Sequence, residues 1–85
     1  MKADSGDITR LVKTARGQLD GVLKMIEDDR YCIDISNQLL AAMAVIKKAN
    51  REIIRAHLGC CVREAIESGD AEQKINELTA LMDKM

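Results

Sequence analysis

The sequence predicts an all-α protein of three helices, and three observations carry that prediction. Proline is absent from all 85 residues, and Tyr31 is the one aromatic residue. Sandwiches and barrels draw on aromatic and β-branched strands, so both are disfavoured. Leu, Ile, Ala, Met, Lys, Glu and Asp dominate, and apolar positions recur every three or four residues along most of the chain. With 47% apolar and 32% charged residues the composition is globular, of a size for one domain over 1–85.

The first helix is expected from about Asp7 to Glu27. Asp7 or Ser5 can cap it, and Ile8, Leu11, Val12, Ala15, Leu19, Val22, Leu23 and Ile26 recur at helical spacing. Residues 1–6 precede the pattern and are expected to be disordered. Gly17 and Gly21 sit inside the helix, each costing ~1 kcal/mol relative to Ala. Being four residues apart, they share a face that another backbone can approach. Asp28-Asp29-Arg30 breaks the pattern and reads as a short connection.

The second helix is expected from Tyr31 or Cys32 to Glu67, closed by Ser68-Gly69-Asp70. Glycine suits the left-handed residue that ends a helix, and Asp70 can cap the next one. A helix of some 35 residues is a rod of roughly 50 Å, whereas a compact domain of this size has a radius of gyration near ~12 Å. Two shorter helices cannot cover it. Its seam reads Cys32, Ser36, Leu39, Met43, Ile46, Asn50, Ile53, His57, Cys60, a heptad stripe along which a second copy of the helix packs. The polar Asn50 on that stripe is suited to fixing its register. The third helix is expected from about Ala71 to Asp83, with Ile75, Leu78, Leu81 and Met82 as its apolar stripe.

A net charge of −1 hides an uneven distribution. Residues 10–24 carry Arg10, Lys13, Arg16 and Lys24 against Asp20, and residues 44–57 carry Lys47, Lys48, Arg51 and Arg55 against Glu52. The chain after Val62 is acidic. Local basic faces are what touch phosphate, whatever the total charge. Arg10, Lys13, Arg16, Lys47, Lys48 and Arg51 are the nominees for one such surface. The plain alternative is a set of solvated helix faces. No helix-turn-helix signature appears, so no recognition helix is named.

Three cysteines and the single histidine are the chemically distinctive residues. His57 has Cys60 at i+3 and Cys61 at i+4, and an imidazole with a thiolate at either spacing can grip one soft metal ion. Cys32 lies on the same stripe but 25 residues away, roughly 37 Å along the axis. It cannot reach its own chain's His57. In an antiparallel pair centred near Val45 and Ile46, Cys32 of one chain comes level with His57 to Cys61 of the other, and two equivalent Cys-His-Cys sites form by symmetry. Two thiolates and one imidazole suit Cu(I); Zn(II) wants a fourth ligand. Against this, buried cysteines often only pack.

These residues resemble the CsoR/RcnR family of all-helical bacterial transcriptional repressors, and within it the copper-sensing CsoR branch. The resemblance spans about residues 8–84. It is carried by Gly17-Gln18, by Asp29-Arg30-Tyr31-Cys32-Ile33-Asp34-Ile35, by His57-Leu58-Gly59-Cys60-Cys61-Val62 and by Glu67-Ser68-Gly69. It implies an antiparallel four-helix dimer core assembled as a dimer of dimers, which represses copper-resistance genes and leaves its operator DNA when Cu(I) binds. It also implies Cys32, His57 and Cys61 as ligands, with Tyr31 and Glu77 as the groups around them. Cys60, beside the expected ligand, is a departure. Thr14 and Leu11 stand where family members commonly place arginines, so DNA contacts do not carry across there.

Other readings remain open. One is a persulfide- or thiol-sensing repressor of the same fold using Cys32 with Cys60 or Cys61. Another is a helical copper buffer or carrier that never meets DNA. An enzyme is the weakest reading, because no nucleophile–base–orienter set or Gly-rich phosphate loop is present in the chain. No stretch is long and apolar enough for a membrane span, no export signal opens the sequence, and a reducing cytoplasm is the expected compartment.

Overall fold

The computed structural model describes the backbone of residues 1–85 and the side chains of all of them except residues 61 and 62. Its elements are α1 (Ser5–Glu27), α2 (Cys32–His57), a π-helical turn (Leu58–Val62), α3 (Arg63–Ser68) and α4 (Ala71–Met82). The expected all-α architecture is present. The long second helix is there as a helical run from Cys32 to Ser68, interrupted in register by the π turn.

Helix α1 begins two residues earlier than expected, because Asp4, rather than Ser5 or Asp7, is its cap. The Asp4 carboxylate accepts from the backbone N–H of Gly6 at 2.8 Å and of Asp7 at 3.2 Å, satisfying donors the first turn cannot pair internally. Residues 5 and 6 are therefore its first turn, where the apolar pattern suggests disorder. At the other end Arg30 N–H donates to Met25 and Asp29 N–H to Ile26, a Schellman closure with Asp29 at φ 51°. Aspartate tolerates that left-handed conformation better than most residues. The same closure recurs at Gly69, φ 86°, where Asp70 N–H donates to Ala65. Asp70 precedes α4, but its side chain makes no cap bond. Its carboxylate accepts from the Ser68 hydroxyl at 3.5 Å instead.

Helices α1 and α2 form an antiparallel hairpin. On α1, Ile8, Leu11, Ala15 and Val22 are buried, and on α2 Ala42 and Ala49 are buried. With half-buried Gln18, Met25, Ile35, Gln38 and Val45, these residues keep three- and four-residue steps on both helices. Alanines at Ala15, Ala42 and Ala49 let the helices approach closely. The Gln18 Oε1 atom is buried in this contact with no partner among the described residues. Short α4 folds back over the C-terminal end of α2, where Ile54, Ala65 and Leu78 are buried.

The outcome is one layer of helices, not a closed core. The chain measures 56 × 26 × 13 Å with a radius of gyration of 17.3 Å, well above the ~12 Å of a compact domain this long. Val12, Leu19, Leu23 and Ile26 of α1 stay exposed, as do Leu39, Met43 and Ile46 of α2. By helical phase both sets lie on the same side of the hairpin. The predicted seam is thus left uncovered by α1, which occupies the neighbouring stripe of α2. A second apolar set, Ile33 and Leu40, is exposed on the face of α2 turned away from α1.

Candidate metal centre and basic face

Cys32 is the first residue of α2, and its thiol is exposed and free. His57 is the last residue of α2 and is half-buried. The two stand at opposite ends of one 26-residue helix, so a single chain does not bring them together. Among the described residues, no three His, Cys, Asp or Glu side chains of one chain converge on a common point. Any site built from Cys32 and His57 therefore needs two chains.

His57 and Glu77 share a cleft of about 250 Å³ with Ile53, Ile54, Leu78 and Leu81. The mostly aliphatic lining is supplied by α2 and α4 together, and it is α4 that carries Glu77 to the histidine. The Glu77 carboxylate also pairs with Lys74 on its own helix at 3.5 Å, a half-exposed ion pair of little energetic weight. Lys74 is not among the residues nominated from the sequence, although its i, i+3 spacing to Glu77 is a legible signal. Tyr31 is exposed and serves as the backbone N-cap of α2 beside Cys32; it does not line the His57 cleft within the chain.

The π turn bears directly on the adjacent cysteines. On an unbroken α-helix Cys60 stands about 60° from His57 around the axis, near enough to share a ligand. A π turn holds roughly 4.4 residues, which carries the i+3 position to about 115° from the histidine. Cys60 is exposed and free. The wider turn therefore sets Cys60 farther around the axis from His57 than uniform helix geometry does. The side chain of Cys61, the third expected ligand, lies outside the described residues.

The basic residues fall at one end of the hairpin. Arg10 and Lys13 line an open groove along α1 with Gly6, Thr9 and Thr14. Antiparallel pairing sets this part of α1 level with Lys47, Lys48 and Arg51 of α2. Lys47 and Arg51 line a groove with Asn50, Lys84 and Met85, and Arg51 and Arg55 flank another beside Ile54, Leu58, Met82 and Met85. By helical phase, Arg10 and Lys13 of α1 and Lys48 and Arg55 of α2 lie on the side opposite the uncovered apolar face. Arg16 is about 120° around α1 from Arg10, on the flank next to the apolar residues. The structure does not bring it to the Arg10–Lys13 groove.

The chain is similar to known proteins over nearly its whole length. It is 40% identical over 81 residues to the copper-sensing transcriptional repressor CsoR of Bacillus subtilis, covering 95% of this chain and 80% of that one. It is 42% identical over 67 residues to the copper-sensing transcriptional repressor CsoR of Mycobacterium ulcerans, spanning 79% of this chain and 57% of that longer relative. The crystal structure of the copper-sensing repressor CsoR with Cu(I) from Geobacillus thermodenitrificans superposes with a TM-score of 0.86 at 37% identity, covering 93% of this chain and 82% of that chain. Residues 4–84 match the family model of metal-sensitive transcriptional repressors. On fold, sequence and extent of match, the chain belongs to the metal-sensitive transcriptional repressor family.

Proposed function

We propose that this protein is a Cu(I)-responsive repressor that holds operator DNA in its metal-free form and releases it when Cu(I) binds. The observation that carries the reading is the placement of Cys32 and His57 at opposite ends of a 26-residue helix whose seam lies uncovered at Leu39, Met43 and Ile46. An antiparallel pairing along that seam sets each Cys32 beside the partner's His57 and completes two sites at once. Names of relatives at about 40% identity, and the Cu(I) in a structural neighbour, support copper as the inducer.

The donor set fits the ion. Cys32 from one protomer and His57 and Cys61 from the other supply two sulfurs and one nitrogen, a soft, low-coordinate set that favours Cu(I) over Zn(II). When bound, Cu(I) supplies a fixed link between two protomers. His57 spends one ring nitrogen on the metal and keeps the other for a hydrogen bond. Glu77 is the acceptor that shares its cleft, and Tyr31 is the polar neighbour of Cys32. These groups orient the imidazole and read its position.

Two helical hairpins joined through the Val12–Ile26 and Leu39–Ile46 faces make a four-helix core, and the separate Ile33–Leu40 patch serves a dimer of dimers. DNA is met by the opposite, basic side through Arg10, Lys13 and Lys48, with Lys47 and Arg51 on the flank that lines the groove with Lys84 and Met85 and Arg16 at the other margin. No described helix is long and apolar enough to cross a membrane, and the site of action is the cytoplasm, where the operator lies. The test is a gel shift on the promoter DNA upstream of the protein's own gene. A complex without copper that dissociates on adding Cu(I) is expected; Cu(I) binding with no DNA complex in either state means a buffer or carrier instead.

A further inference from the structure

Helix α4 docks through a stripe that includes a lysine. Ala71, Lys74 and Leu78 are the residues of α4 that are not exposed, at the i, i+3 and i+7 spacing of one helix face. The Lys74 side chain is 38% exposed, so its stem is largely covered while its ammonium reaches outward. That ammonium meets Glu77, with Nζ 3.5 Å from Oε2. Among the described residues no other cation lies within 4 Å of this carboxylate. Glu77 also lines the cleft that holds His57, yet no hydrogen bond or ion pair joins the two side chains. The carboxylate that shares the histidine's cleft is engaged by its own helix.

We infer that Lys74 is a positioning residue for the copper response: it holds Glu77 against α4 in competition with the His57 imidazole, and so sets how strongly copper binding is coupled to release of DNA. The role rests on the reading above, in which His57 and Glu77 carry that coupling. With one ring nitrogen of His57 spent on the metal, the other is an N–H donor, and a carboxylate is its strongest acceptor. To accept that bond Glu77 must leave Lys74. The exchange moves no proton and breaks no covalent bond. One charge-assisted contact replaces another, and the freed ammonium returns to water. An ion pair this exposed is weak, which suits a partner that has to let go. Its i, i+3 spacing on one helix keeps it ready to re-form.

Lys74→Met keeps the aliphatic stem and removes the charge. Two quantities should rise about two- to threefold, the size of one exposed ion pair. They are the Cu(I) affinity of the DNA-free protein, from chelator competition, and the ratio of promoter-duplex dissociation constants with and without Cu(I), from fluorescence anisotropy. DNA affinity without copper should stay unchanged. Lys74→Gln should behave as Lys74→Met does, and Lys74→Arg, which can still pair with Glu77, should keep wild-type values. In a Glu77→Gln background Lys74→Met should alter neither quantity, because the ammonium has no charge to hold there. A lysine that only supports α4 would act equally in both backgrounds, and that result overturns the inference. Unchanged or lowered copper affinity in both charge-free variants overturns it too. Failure of the underlying reading looks different: Glu77→Gln and His57→Ala then keep full coupling whichever residue stands at position 74.

Discussion

His57 and Glu77 line one cleft although twenty residues separate them in the chain. One ends α2, the helix that Cys32 begins, and the other stands midway along α4. Joining them takes the turn at Gly69, whose left-handed backbone sends α4 back along α2. Leu78 is buried one residue after Glu77, so the carboxylate is presented by a helix docked through its neighbours.

The first prediction concerns assembly. An antiparallel pair centred near Val45 and Ile46 places Ile46 close to its own symmetry mate, and Ile46 is 48% exposed in the single chain. Ile46→Lys would set two like charges together in a region that association desolvates. Sedimentation velocity at micromolar concentration is expected to show no folded monomer for the wild type, and loss of the dimer with loss of helical signal for the variant. A well-folded wild-type monomer at that concentration would refute both the dimer and the shared site.

The second prediction separates the three thiols. With Cys60 set farther around the axis from His57 by the π turn, Cys60→Ser should retain one Cu(I) per chain at near wild-type affinity. Cys32→Ser and Cys61→Ser should each weaken Cu(I) binding by orders of magnitude, since one remaining thiolate and an imidazole form a poorer soft site. Competition with a chromophoric Cu(I) chelator measures all three. Strong loss in Cys60→Ser with retention in Cys61→Ser would return the ligand to the uniform heptad stripe.

Much of this is legible in the sequence because helical periodicity and punctuation are local. The Asp28–Arg30 break, the Gly69 stop and the stripe from Leu39 to Ile46 come from spacing and residue type alone. What escapes is set by neighbours. Two heptad stripes lie side by side on α2, and sequence cannot say which is taken by α1 and which is left for a partner. The π turn has no signature in Leu58-Gly59-Cys60-Cys61-Val62 that periodicity detects, and it is what alters the position of Cys60 around the axis relative to His57. Asp4 loses to Asp7 as the expected cap because the apolar pattern opens only at Ile8. The nomination of Arg16 beside Lys13 rests on proximity along the chain, whereas position around α1 divides them.

That division yields the third prediction. Each Lys or Arg that neutralises a phosphate releases counterions, and the slope of log affinity against log salt falls by about one for each contact removed. Lys13→Ala and Lys48→Ala together should weaken the metal-free complex with promoter DNA and flatten its salt slope by about two. Arg16→Ala, on the flank toward the apolar face, should change the slope by less than one such unit. Fluorescence anisotropy over a salt series gives both numbers. An equal slope change for Arg16→Ala and Lys13→Ala would show that α1 meets DNA across a wider arc than the groove.

The fourth prediction concerns how copper is coupled to DNA. His57→Ala leaves two thiolates, which can hold Cu(I) linearly, so binding should survive with modest loss. The lost element is the imidazole that shares a cleft with Glu77. Release of DNA requires that the released form bind copper more tightly than the repressing form, by a coupling of typically ~1–3 kcal/mol, about 5- to 150-fold in affinity. If the imidazole and Glu77 carry that difference, His57→Ala should bind Cu(I) yet keep most of its DNA affinity when loaded. Glu77→Gln retains a hydrogen-bond acceptor but removes the charge and the pairing with Lys74, and should show a partial loss of coupling with unchanged DNA affinity in the metal-free state. The decisive measurement is the ratio of DNA dissociation constants with and without Cu(I) for each variant. A loaded His57→Ala that leaves the operator as completely as the wild type would locate the coupling in the thiolates and the pairing of protomers. The cleft between α2 and α4 would then be packing alone.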